Sequence, residues 1–214
     1  MYEYITTHGP LDSYHLDRIE QTIDKALAKH SRVIAIRVDL HVPYTPHNPD
    51  TNDMPDEASF ANSDNAVISR GFSSLNAIIK ADLIATKRLG KRVHNTTLHY
   101  AWTREFSPTT NKKHYHVLIL LNKDTYNYLG TYNEDGGKLL TFIHQAWLSA
   151  LQIEFTAGQR LVHLPEHPCY YLYRKEGKQS ESYKALIYRT SYMAKLATKN
   201  YTDGQRNYGY SRRK

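Results

Sequence analysis

Residues 116–121 (HVLILL) run apolar without a break after their leading histidine. A strand turns successive side chains to opposite faces, so such a run would expose half its apolar atoms unless both faces were covered. The segment therefore reads as the central strand of a layered fold, with strands on either side and helices above and below. Residues 32–42 (RVIAIRVDLHV) supply one neighbour. They alternate strictly, with Ile34, Ile36, Val38, Leu40 and Val42 towards a core and Arg37, Asp39 and His41 in a polar row on the other face. Residues 97–105 supply a second strand, joined to strand 114–121 by a loop over 106–113.

Helices are expected where apolar residues recur at three and four positions. Residues 11–29 carry Leu11, Ile19, Ile23, Ala26 and Leu27, with Asp12 or Ser13 as cap, and residues 66–89 carry Ile68, Phe72, Leu75, Ile79, Leu83 and Thr86. The pattern predicts a short helix over 123–130, a longer one over 137–152, a weak extended pair over 159–173 and a last helix over 181–198. Residues 43–65 hold four prolines and many Asp and Asn, so they read as a long mobile loop. Residues 199–214 read as a basic tail. No internal repeat occurs. Hairpin-linked strands mixed with long helices give an α+β class, one domain over 1–214, built on a central antiparallel sheet of about five strands flanked by helices.

Charge narrows the class of partner. The chain has a net charge of +7 and eighteen tyrosines among 214 residues. Excess cations favour a polyanion, and many aromatics beside them favour unstacked bases. Cys169 stands alone, which excludes a disulfide framework and a cysteine zinc site. No apolar stretch is long enough for a signal peptide or a membrane span, so no membrane partner and a cytoplasmic location are expected.

His114 and His116 flank Tyr115, and alternation puts both imidazoles on one face. Glu105 lies nine residues upstream, at hairpin distance, so it can stand across from the pair. Two imidazoles and a carboxylate suit an open divalent-metal site with positions left for water or a phosphate oxygen. His99 and His41 are fallback ligands, each also explicable as an ordinary strand residue. Tyr192 and Lys195 form a Tyr-x-x-Lys pair on the last helix. There Leu186, Met193 and Ala197 make an apolar stripe, and Tyr188, Tyr192, Lys195 and Lys199 a second stripe nearly opposite. A solvated face with cation–aromatic pairs accounts for the same pattern. The cations beside these motifs and in the tail, Lys112, Lys113, Arg189, Lys199, Arg206, Arg212 and Arg213, are the candidate DNA contacts, although basic termini are commonly just solvated.

Together these pieces resemble the HUH endonuclease superfamily, and within it the rolling-circle replication-initiator domain of inovirus-type phages and related prophage proteins. The matching segments are RVDLHVP at 37–43, WTRE at 102–105, HYHVLILLN at 114–122, SYMAK at 191–195 and DGQRNYGYSR at 203–212. They stand in the family's order and span most of the chain from residue 32 onward. The N-terminal helix and the 43–65 loop match no motif.

The resemblance implies an HUH-type, RRM-like sheet. It implies His114, His116 and Glu105 as ligands to Mg²⁺ or Mn²⁺, and Tyr192 as nucleophile. Lys195 would assist as a cation beside the phenol, and Tyr188 would be a second tyrosine in relatives that alternate two. The expected activity is nicking and rejoining of single-stranded or hairpin origin DNA through a 5′-phosphotyrosine link, with host replication helicase and polymerase as further partners in a bacterial cell. The competing readings are a related HUH transposase or relaxase, a non-catalytic phage or prophage DNA-binding regulator with structural histidines, and a metal-dependent hydrolase that activates water and leaves no adduct.

Overall fold

Strand β3 (Lys113–Asn122) pairs along most of its length on both sides, antiparallel with β1 (Arg32–His41) and with β2 (His99–Phe106). It is the central strand that its apolar run requires. The computed structural model describes residues 2–43, 61–110, 112–130, 138–154 and 161–212. Two short strands, β4 (Val162–His163) and β5 (Cys169–Tyr173), extend the sheet beyond β1. β6 (Tyr208–Tyr210) closes the other side against β2. The class is α+β with a six-stranded antiparallel sheet, one strand more than the five expected.

The two faces of the sheet bury different things. Ile34, Ile36, Val38 and Leu40 of β1 join Val117, Ile119 and Leu121 of β3 against α2 (Val67–Arg88) and α3 (Lys138–Leu151). Val33 and Ala35, with Leu118 and Leu120, face α1 (Ser13–Lys29) and α4 (Glu181–Ser191). This second face changes character along the strands. Its apolar half lies under the helices, while the other half carries the polar row Arg37, Asp39, His41, His114, His116 and Glu105.

Several boundaries differ from expectation for physical reasons. Helix α1 starts at Ser13 because Asp12 caps it, accepting from the His15 amide at 3.1 Å, and Leu11 instead bridges to Lys195. Residues 123–130 are turn and coil rather than helix, anchored where the Asp124 amide donates to Asn122 Oδ1. β4 and β5 both pair with β1, not with each other. The expected tail supplies β6: Tyr208 is buried and the Arg104 amide donates to the Asn207 carbonyl. Most of the 43–65 loop, together with Arg213 and Lys214, lies outside the described residues. No described helix is long and apolar enough to cross a membrane.

Gly209 pairs with Trp102, and a Cβ there would stand 2.6 Å from the indole ring. Gly209→Ala must push that ring out of place, and we expect a loss of roughly 1–3 kcal/mol in urea denaturation. Burial pushes His99 down to about 4, and lowers His15 and His30 as well. The unfolded chain takes up these protons near 6.5 while the folded chain resists, so stability falls as pH drops through that interval. Thermal melts at stepped pH should show the midpoint falling from about 6.5 towards 4.

Candidate active site

Glu105 and His114 are direct partners across β2 and β3, as the hairpin spacing requires, and His116 lies one pleat further on the same face. One ligand atom from each of these three residues lies within 4.8 Å of the others. His114 Nδ1 donates to the Lys112 carbonyl at 3.3 Å, which orients its ring. Its ring meets His116 edge-on at 4.9 Å and stacks on His41 at 5.6 Å. Burial lowers the His114 pKa and the neighbouring His116 reinforces this, which favours the neutral, lone-pair-bearing ring that a metal needs.

The orientation of His116 comes from residues behind it. Its Nδ1 lies 2.6 Å from Asp39 Oδ1, and Asp39 in turn accepts from Arg37 Nη2 at 3.1 Å. A carboxylate can only accept, so Nδ1 carries the proton and Nε2 of a neutral ring is left with a lone pair. That Nε2 is buried without a hydrogen-bond partner and points at Glu105 Oε2, 3.3 Å away. Two lone pairs facing each other repel unless a cation, a proton or a metal ion, sits between them. The donor set therefore fits a divalent ion. Arg37 also donates to the Val117 carbonyl at 2.7 Å, locking β1 to β3 beneath the site.

Glu105 is 1% exposed and collects cations. Lys195 Nζ lies 2.9 Å from one carboxylate oxygen, and Lys199 Nζ 3.4 Å from the other. Thr198 donates to the same group at 2.9 Å. Burial alone would raise the Glu105 carboxyl, but the hydrogen bond and charge that His116 supplies when a proton occupies Nε2, together with Lys199 and Lys195, outweigh it and hold the pKa to about 2. The group is an anion at any physiological pH.

Tyr192 stands beside this cluster. Its ring meets His116 edge-on at 5.2 Å and His8 at 5.1 Å. Lys195 Nζ donates to the Tyr192 hydroxyl and lies 3.7 Å from the ring centroid, so one ammonium touches both the phenol oxygen and Glu105. The expected helix over 181–198 stops at Ser191. Tyr192–Ala194 form a 3-10 turn, Lys195 is extended with ψ 141°, and Thr198 has φ 72°. The expected exposed stripe is thereby broken: Lys195 and Lys199 turn inward to the buried carboxylate, and Ala197 is exposed. The N-terminal segment holds the turn in place. The Asp12 amide donates to the Ala194 carbonyl at 2.8 Å, and the Ile5 amide to Ser191 Oγ at 2.8 Å.

The remaining candidates scatter. Tyr188 is 46% exposed and its side chain makes no hydrogen bond or ring contact among the described residues. Lys199 is buried on Glu105 and is not a surface DNA contact. Lys113 Nζ donates to the Ser63 carbonyl. Lys112, Arg206 and Arg212 are exposed, and Arg189 is half-buried. Arg213 lies outside the described residues. His41 adjoins His114, whereas His99 sits at the far end of β2. Sequence reasoning assigned no role to Asp39, Arg37 or His8. The polar row on β1 was the available signal for the first two; for His8 there was none.

Because Asp39 fixes the His116 tautomer, Asp39→Asn should weaken Mn²⁺ binding about 10–100-fold with the fold retained, as read by isothermal titration calorimetry.

A family model of the YagK/YfjJ C-terminal domain matches residues 2–211. The chain is 38% identical over 211 residues to the uncharacterized protein YfjJ of Escherichia coli (strain K12), covering 98% of this chain and 99% of that protein. It is 36% identical over 215 residues to the uncharacterized protein YagK of the same strain, covering 99% and 98%. By these nearly full-length matches, the chain belongs to the YagK/YfjJ C-terminal domain family.

Proposed function

We propose that this protein is a metal-dependent endonuclease and strand transferase that nicks single-stranded DNA with Tyr192 and initiates rolling-circle replication. The names of YfjJ and YagK state no activity, so the reading rests on the chemistry of the site. One observation carries it: the Tyr192 phenol, the Lys195 ammonium, Glu105 and the unpartnered His116 Nε2 form one unbroken chain of contacts.

A phenol ionises only near pH 10 in water and is a poor nucleophile while protonated. Lys195 donates to its oxygen, which stabilises the phenolate as the proton leaves for solvent. The phenolate oxygen forms a bond to phosphorus while the bond from phosphorus to the 3′-oxygen breaks, and that oxygen leaves with the electron pair and takes up a proton. The products are a 5′-phosphotyrosine and a 3′-hydroxyl that a polymerase can extend. Because the phosphodiester energy is retained, the same atoms reverse the step and rejoin the ends. Glu105, His114 and His116 would hold Mg²⁺ or Mn²⁺, which when bound supplies charge stabilisation to a non-bridging phosphate oxygen. The substrate is single-stranded or hairpin origin DNA, the place of action a bacterial cytoplasm, and a host helicase and polymerase continue the reaction.

A second reading has its own support. Two lysines already compensate Glu105 without a metal, as they would in a non-catalytic DNA-binding regulator with structural histidines.

A denaturing gel after incubation with Mn²⁺ and single-stranded oligonucleotides tiled across the gene and its flanks separates the two. The nicking reading expects a covalent protein–DNA band that disappears in Tyr192→Phe and persists in Tyr188→Phe, since Tyr188 touches nothing in the site. Cleavage without a band would mean an activated-water hydrolase. Binding without cleavage would favour the regulator.

A further inference from the structure

At the end of the molecule remote from Glu105, α1, α2 and the start of β2 enclose an open cavity of about 650 Å³. Among the described residues its lining contains Lys25, Lys29 and Arg212 and no carboxylate. Tyr100 stacks on Phe72 there, with centroids 3.6 Å apart and planes 5° from parallel, so a half-buried tyrosine is braced as a flat wall. His99 sits beside it with a buried Nε2 that has no hydrogen-bond partner. A cavity offering three cations and a supported aromatic face has the chemistry to take a base together with its phosphates. None of these groups contacts the Tyr192 cluster.

The cavity is not isolated from that cluster. Lys25 lies 5.8 Å from the Tyr210 ring centroid, Arg18 lies 5.7 Å from the same ring, and Arg18 also covers Tyr14 at 4.9 Å. Cations and rings therefore alternate along one side of α1, from the cavity back to its first turn. That turn adjoins Tyr192, because the Asp12 cap bonds to Ala194. The acids of α1 do not interrupt the row: Glu20 and Asp24 pair with Lys178, and Asp17 accepts from Gln21. His99 and Glu105 are six residues apart on β2, which is about 20 Å of strand.

We propose that this cavity and the cation–tyrosine row on α1 form a second single-strand DNA-binding site, gripping the strand about six stacked nucleotides or fewer from the phosphate that Tyr192 attacks. The proposal rests on the reading of the chain as a single-strand DNA enzyme. It adds to that reading a separate surface that holds the strand without touching the reacting atoms.

Fluorescence anisotropy with a labelled oligothymidylate of about 20 nucleotides, in EDTA so that no cleavage intervenes, tests it. Lys25→Ala/Lys29→Ala/Arg212→Ala should weaken binding about tenfold or more at low salt. It should also reduce the salt slope by about two, as expected for three lost phosphate contacts. A charge-matched control on the exposed side of α2, Lys80→Ala/Lys87→Ala/Arg88→Ala, should bind like the parent, and circular dichroism checks that all variants fold. Photocrosslinking with iododeoxyuridine should label Tyr100 or His99. Unchanged binding in the cavity variant, equal weakening in the control, or a crosslink absent from β2 would each overturn the site. The two claims fail separately: normal binding loss with no adduct from any protein sinks the nicking reading alone, whereas a normal adduct with unchanged binding sinks the cavity alone.

Discussion

The buried carboxylate of Glu105 is the constraint from which much of this structure follows. An anion with 1% exposure is tolerated only when several partners surround it. Its partners are drawn from separate parts of the chain: His116 from β3, and Lys195, Thr198 and Lys199 from beyond α4. Satisfying this charge requires the chain to leave the helix after Ser191, and the left-handed Thr198 completes the turn. The same break places Tyr192 against His116. A continuous helix would keep Lys195 and Lys199 on a solvent stripe and leave the carboxylate unpaired.

Beside Glu105 in sequence, Arg104 does the corresponding work on the opposite face of β2. It is buried, and its guanidinium meets Asp203 at 2.8 and 2.9 Å and Asn207 Oδ1 at 2.9 Å. The segment from Thr198 to Asn207 is thus pinned to one strand from both sides. Backbone bonds from the Phe106 amide to Thr198 and from the Arg104 amide to Asn207 run between these anchors. A stretch of mostly polar residues, which would remain solvated alone, is held against β2 by two adjacent opposite charges and leads into the edge strand β6.

These constraints converge on what the protein is proposed to do. The carboxylate that orders the turn is also the acidic member of the candidate metal set. The lysine that neutralises it also reaches the phenol oxygen. Charge compensation and nucleophile placement are therefore one arrangement rather than two. Arg37 and Asp39 add rigidity from below by fixing the His116 ring, so the unpartnered nitrogen has a single direction. The cavity at the other end of β2 shares the sheet but none of these contacts, which makes the two surfaces separable by mutation.

The sequence by itself determined the central strand, the antiparallel α+β class and the pairing of Glu105 with the two histidines. Each follows from local rules: apolar runs need cover on both faces, alternation sorts side chains between faces, and hairpin length sets register. The polar row on β1 was equally legible, although its alternation could not say that Asp39 would hold His116. The end of α4 was hidden, because Tyr188, Tyr192, Lys195 and Lys199 keep helical spacing through a region where the chain is not helical. The role of residues 199–212 was hidden as well, because their composition is that of a solvated tail. Both were decided by tertiary structure, for one reason: opposite charges buried on β2 outweigh local preference, and no window of sequence contains both partners.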